Sequence, residues 1–140
     1  GAAVTITNFD GESKPQFINC IFRNNDCNVI GGAVHHSGDV TVFANCLFDG
    51  NSATRGGALH NGDGVIATFN CTFVNNTAEK GSSSYATSGT STQHNNSIFW
   101  DANNSSIQNI SSSVITLVNY CIVRGGLPFL LKLHSRRPLS

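Results

Sequence analysis

Apolar and polar residues alternate along this chain in short pieces, and no stretch of ten or more residues carries the three-and-four spacing of a helix. Val4-Thr5-Ile6-Thr7, Phe17-Ile18-Asn19-Cys20-Ile21-Phe22 and Val40-Thr41-Val42-Phe43 read as strands, separated by clusters of Gly, Asn, Asp and Ser that suit tight turns. The pattern has a period. Gly31-Gly32-Ala33, Val40, Asn45-Cys46-Leu47-Phe48 and Asn51 recur as Gly56-Gly57-Ala58, Val65, Asn70-Cys71-Thr72-Phe73 and Asn76, each twenty-five residues later. A fixed period of that size marks a solenoid, because one turn cannot bury its apolar face alone.

In the second unit the strand pieces are 33–36, 40–43 and 46–48, with turns at Ser37-Gly38-Asp39 and Asp49-Gly50-Asn51. None is long enough to build a hairpin sheet, but each can pair with its copy one coil away. The predicted class is all-β, a parallel β-helix of about 25 residues per coil and four to five coils.

The first coil opens on Gly1-Ala2-Ala3, the tail of a glycine-pair element, and 8–16 reads as a surface loop. The third coil repeats the second. In the fourth, Gly81-Ser82-Ser83 replaces the glycine pair, 84–92 is polar, and Asn96-Ser97-Ile98-Phe99 restores the motif; its FxxN ends in Ala102, which predicts a bulged or loosely ordered coil. The fifth keeps Val114-Ile115-Thr116-Leu117 and Tyr120-Cys121-Ile122-Val123.

Equivalent side chains should then lie over one another. Phe22, Phe48, Phe73 and Phe99 are predicted to form an aromatic ladder closed by Val123. Cys20, Cys46, Cys71 and Cys121 occupy one slot, with Ser97 filling the fourth, and read as small buried side chains rather than disulfides. Cys27, in the slot of Ala53 and Ala78, reads the same way. Asn25, Asn51 and Asn76 are predicted to stack at a bend, where asparagine tolerates left-handed backbone and its amide can bond the amides above and below.

Composition narrows the function. Charged residues are only 11% and the formal net charge is zero, so no basic field is present to attract nucleic acid. No apolar run approaches the length of a membrane span. The lack of methionine predicts a processed product or a piece of a longer chain.

Catalysis by sugar hydrolysis needs two carboxylates facing one cleft. Stepping one coil from Asp26, Asp49 or Asp39 reaches Asn51, Val74 or Gly64, so acids are not stacked, and Arg23 and Arg55 lie in turns out of alignment. Asp39 and Asp63 sit in turns of adjacent coils, where calcium could bind with backbone carbonyls, but solvated turn residues are the favoured reading. His35 and His60 are one coil apart with Tyr85 next. Two such imidazoles could share a transition metal, but no third ligand is apparent, and an exposed ladder on the outer face is the favoured reading. The sequence assigns no catalytic residue, no cofactor and no metal.

The alternation of Phe22-Arg23-Asn24-Asn25, Phe48-Asp49-Gly50-Asn51 and Phe73-Val74-Asn75-Asn76 with Gly31-Gly32-Ala33-Val34 and Gly56-Gly57-Ala58-Leu59 is similar to the FxxN and GGA[ILV] repeats of polymorphic outer-membrane proteins and other bacterial surface proteins. The resemblance covers 1–126. It implies a right-handed parallel β-helix of the pectin-lyase-like class, exported and displayed at a bacterial surface, often as an adhesin or an autotransporter-like passenger stalk. The partners it implies are a host-cell protein or surface glycan and the flanking coils of a parent protein. The alternative is a fragment of a carbohydrate-active β-helix enzyme, but the acid pairs of polygalacturonase-like hydrolases and the calcium cluster and arginine base of pectate-lyase-like enzymes are absent. The apolar and basic tail 127–140 departs from the repeat. It reads as a cap over the last coil or as an end foreign to the repeat, and it is short for a membrane-surface helix.

Overall fold

The computed structural model describes residues 2–7, 10–12, 14–87, 89–102, 105–111 and 114–125, and the backbone of 132–133. Most of the loop 8–16 is described; the expected tail 127–140 lies outside the described residues but for that backbone pair.

The described residues form an all-β parallel solenoid of about four turns, with no helix among them. Its largest sheet holds nine strands: β1 (Val4–Ile6), β2 (Gln16–Ile18), β4 (Val34–Ala44), β7 (Leu59–Phe69), β10 (Ser84–Ala86), β11 (Ser91–Asn95), β13 (Ile107–Asn109), β14 (Ile115–Asn119) and β16 (Lys132–Leu133). A second sheet stacks β3 (Ile21–Arg23), β5 (Leu47–Asp49), β8 (Thr72–Val74), β12 (Ile98–Trp100) and β15 (Ile122–Val123). The third pairs β6 (Ser52–Arg55) with β9 (Thr77–Lys80). All of these pairings are parallel, and the step from Phe48 to Phe73 is the twenty-five residues of the sequence period.

Three expectations about the coil are corrected. The pieces 33–36 and 40–43 are one continuous strand, β4, and Ser37-Gly38-Asp39 is not a turn but an irregularity within it, where the ladder shifts register between His36 and Val40. The third strand of the coil is β6, in a stretch that the alternation did not single out. Arg23 and Arg55 end strands β3 and β6 rather than lying in turns.

The core is built from columns. Adjacent rings of Phe22, Phe48, Phe73 and Phe99 lie 4.8, 4.7 and 4.6 Å apart and within a few degrees of parallel, and Val123 continues the column beside Phe99. A facing column runs Phe17, Phe43, Thr68, His94, Val118. Its rings meet the first edge-on: Phe43 to Phe48 at 5.5 Å and His94 to Phe99 at 4.8 Å. Fully burying one such ring contributes roughly 1.5–3 kcal/mol, so these columns carry a large part of the stability.

The glycine pair marks where coils come closest. A Cβ on Gly32 would lie 2.2 Å from Gly57 O, and one on Gly57 would lie 2.4 Å from Ser82 O and 2.5 Å from Thr77 O. Coil four keeps its place in the ladder here despite its serines. Ser82 and Ser83 are buried and continue the ladder, donating from their N–H groups to Ser105 O and Ser106 O. Ser84 pairs with Ile107, a step of twenty-three residues, so the next coil is shorter at the point where side chains replace glycine hydrogens.

Candidate functional site

Three sets of polar or exposed side chains are candidates for function: the asparagine ladder, the outward histidines and the outer face of the second sheet.

The asparagines stack through their amides. Asn25 N–H and Nδ2 both donate to Asn51 Oδ1, and Asn51 N–H and Nδ2 both donate to Asn76 Oδ1. Nδ2 of Asn51 and of Asn76 also donates to the carbonyls of Phe22 and Phe48. The predicted left-handed backbone is not at these residues. It falls on their neighbours Asn24, Gly50 and Asn75, and on the Asn19, Asn45, Asn70, Asn96 and Tyr120 positions before the cysteine slot. Asparagine is used in the ladder because one amide both accepts and donates, satisfying a backbone N–H and a carbonyl of the coil before it.

The fourth rung is Asp101, not Ala102: coil four reaches it one residue sooner after its phenylalanine. Asp101 is fully buried. Its Oδ1 accepts from Asn76 N–H and Nδ2, and its Oδ2 accepts from Ser83 Oγ. Burial pushes its carboxyl above the ordinary range, opposed by the hydrogen bonds from Ser83, Asn76 and Ser106.

The cysteine slot closes the corner beside each left-handed residue. Cys46 Sγ donates to Phe17 O and Ala44 O, Cys71 Sγ to Phe43 O and Phe69 O, and Ser97 Oγ to Asn95 O. All five cysteines are free. Burial pushes the Cys71 thiol up to about 11 and raises those of Cys46 and Cys121. Cys20 and Cys27 are only half-buried.

The outer histidine column differs from the exposed ladder expected. His35 pairs with His60 and His60 with Tyr85, but His60 and Tyr85 are buried and only His35 is half-exposed. Gly62 lies against both imidazoles. Nδ1 of His35 is 3.3 Å from Nδ1 of His60. Burial lowers the His60 pKa to about 4, with the charges of His35 and Arg55 acting in the same direction; that of His35 falls through burial and the neighbouring His36.

Two further histidines lie in the core, unforeseen from sequence. His36 Nδ1 bonds Asn61 Oδ1 at 3.0 Å, and His94 Nδ1 meets Thr68 Oγ1 at 2.8 Å. His94 is at the facing-column slot of Phe43 and Thr68, so the period alone could have located it.

The acids are engaged separately. Asp49 pairs with Arg23 at 3.0 Å, and Asp26 accepts from Ser52 Oγ. Asp39 accepts from Gly11 N–H and Asp63 from Gly64 N–H. Among the described residues no three His, Cys, Asp or Glu side chains converge.

The outer face of the second sheet carries one largely apolar column beside a mixed one that holds the Arg23–Asp49 pair. Ile21, Leu47, Thr72, Ile98 and Ile122 form one outward column. Trp100 stands beside it, half-exposed, with the Arg124 guanidinium 5.8 Å above its ring.

The architecture is that of a parallel β-helix repeat protein. Residues 45–62, which hold β5, β6 and the start of β7, match the Chlamydia polymorphic membrane protein repeat. No curated protein and no solved structure matched the chain. Repeat and solenoid together fit a polymorphic outer-membrane-protein-like β-helix, and they suggest a surface-protein segment.

Proposed function

We propose that this chain is a display or adhesion segment of a bacterial surface β-helix protein, non-catalytic in itself, that binds a host-cell protein or surface glycan through its outer face. The repeat match within a stack of in-register parallel coils carries this reading. The outer face of the second sheet supports it: Ile98 and Ile122 in one column and Trp100 beside them expose 41%, 44% and 50% of their surface. Separate engagement of Asp26, Asp39, Asp49 and Asp63 weighs against the carbohydrate-active alternative, which needs acids converging on one cleft.

The test is binding of the purified chain to host cells and to a panel of surface glycans, beside incubation with pectin-type polysaccharide. Saturable binding that Trp100→Ala weakens by about 2 kcal/mol, with polysaccharide intact, is expected. Release of unsaturated or shortened sugar would transfer the chain to the enzyme class.

A further inference from the structure

We propose that His35 and His60 form a binding site for a zinc-type divalent transition ion at the bulge of the nine-stranded sheet. The inference is independent of the surface-display reading and stands or falls on its own geometry.

The bulge makes the site. His36 pairs with Asn61 and Ser37 with Asp63, so Gly62 is the extra residue of β7 at the register shift. Bulges re-aim side chains and interrupt the ladder. Here the interruption falls beside two imidazoles stacked one coil apart. A Cβ built on Gly62 would lie 3.3 Å from His35 Cε1, 3.5 Å from His60 Cε1 and 3.3 Å from His36 O. The Cε1 edges of both rings therefore lie close against Gly62, where a side chain would crowd them.

The nitrogen spacing matches a metal chelate. Two donors held 2.0–2.1 Å from a tetrahedral ion are about 3.3–3.4 Å apart, and the two Nδ1 atoms are 3.3 Å apart. Without metal, one ring must present Nδ1–H to the lone pair of the other. Binding moves that proton to Nε2 of the same ring, so both Nδ1 lone pairs face the ion. Neutral imidazole is the form that ligates. Imidazole suits zinc, copper and nickel over calcium or magnesium. Water completes the shell, and the half-exposed His35 leaves a path to solvent.

The experiment is zinc titration of the whole chain, followed by the ring-nitrogen NMR signals of its histidines. Zinc should shift the His35 and His60 Nδ1 signals saturably and leave those of His36 and His94 in place. His35→Gln and Gly62→Ala should each weaken binding by roughly tenfold or more, with the far-ultraviolet dichroism unchanged. The first removes a half-exposed ligand; the second keeps both ligands and crowds their Cε1 edges. The inference is overturned if the His35 and His60 signals stay fixed as zinc is added, or if both variants bind as tightly as the parent chain.

Discussion

Asn76 donates twice to Asp101, from its backbone N–H at 2.9 Å and from Nδ2 at 3.2 Å, in the geometry by which Asn51 donates to Asn76 one coil earlier. An acid thus ends a ladder that amides build. The oxygen where the amide would carry Nδ2 accepts from Ser83 instead of donating to a phenylalanine carbonyl.

Asp101→Asn should therefore be stabilising near neutral pH. Asparagine keeps the acceptor for Asn76, and its Nδ2 can donate to the Phe73 carbonyl as its lower counterparts do. A gain of about 1 kcal/mol is expected in urea unfolding at pH 7. The sign with pH follows from the raised folded-state pKa. The folded chain holds this proton more tightly, so its contribution is fullest below the unfolded carboxyl pKa and is lost as pH rises through the folded value. The variant should lack that loss. Equal stability of both chains at every pH would refute the assignment.

His94 gives the opposite slope. It is fully buried against Phe73, Phe99 and Thr68, and desolvation lowers its pKa to about 3. The unfolded chain binds a proton near pH 6.5 that the folded chain refuses, so stability falls as pH drops from about 6.5 toward 3. Between pH 6.5 and 5 the loss from this group is about 2 kcal/mol. His94→Leu should flatten that part of the profile; an unchanged slope would place the acid sensitivity elsewhere.

The cysteines should separate by reactivity. Thiolate is the reactive form, and burial raises the thiol pKa of Cys46, Cys71 and Cys121. Mass spectrometry after brief alkylation of the native chain should find label at Cys20 and Cys27 first. Early labelling of Cys71 would contradict the corner packing.

Gly57→Ala should be severe. Its Cβ would press on Thr77 O and Ser82 O, both backbone atoms of the neighbouring coil. A cost of about 2 kcal/mol or more is expected in thermal or urea unfolding. Loss of less than about 0.5 kcal/mol would mean that the coils are not this close.

The fold was legible because the period is nearly constant and each coil repeats the same phenylalanine and glycine landmarks. The strand layout within a coil was less so. Ser37-Gly38-Asp39 has turn composition, but pairing on both sides carries β4 through it. Likewise Asn25, Asn51 and Asn76 signalled a column but not its cause, since asparagine serves both left-handed backbone and amide stacking, and the backbone role fell to its neighbours. Alternation predicted His60 and Tyr85 as exposed, whereas both are buried, since period-two spacing says which residues share a face and not what covers it. Asp101 escaped because the count was taken from Phe99 rather than from Asn76, twenty-five residues before it.

The central claim is that like residues of successive coils stack through one core, and Phe48 with Phe73 is its clearest instance, with rings 4.7 Å apart and 2° from parallel. A double-mutant cycle with Phe48→Leu and Phe73→Leu, read by urea unfolding, tests it directly. The stack predicts a coupling energy of about 0.5–1.5 kcal/mol between the two sites. Strict additivity, as for residues on separate parts of a fold, would contradict it.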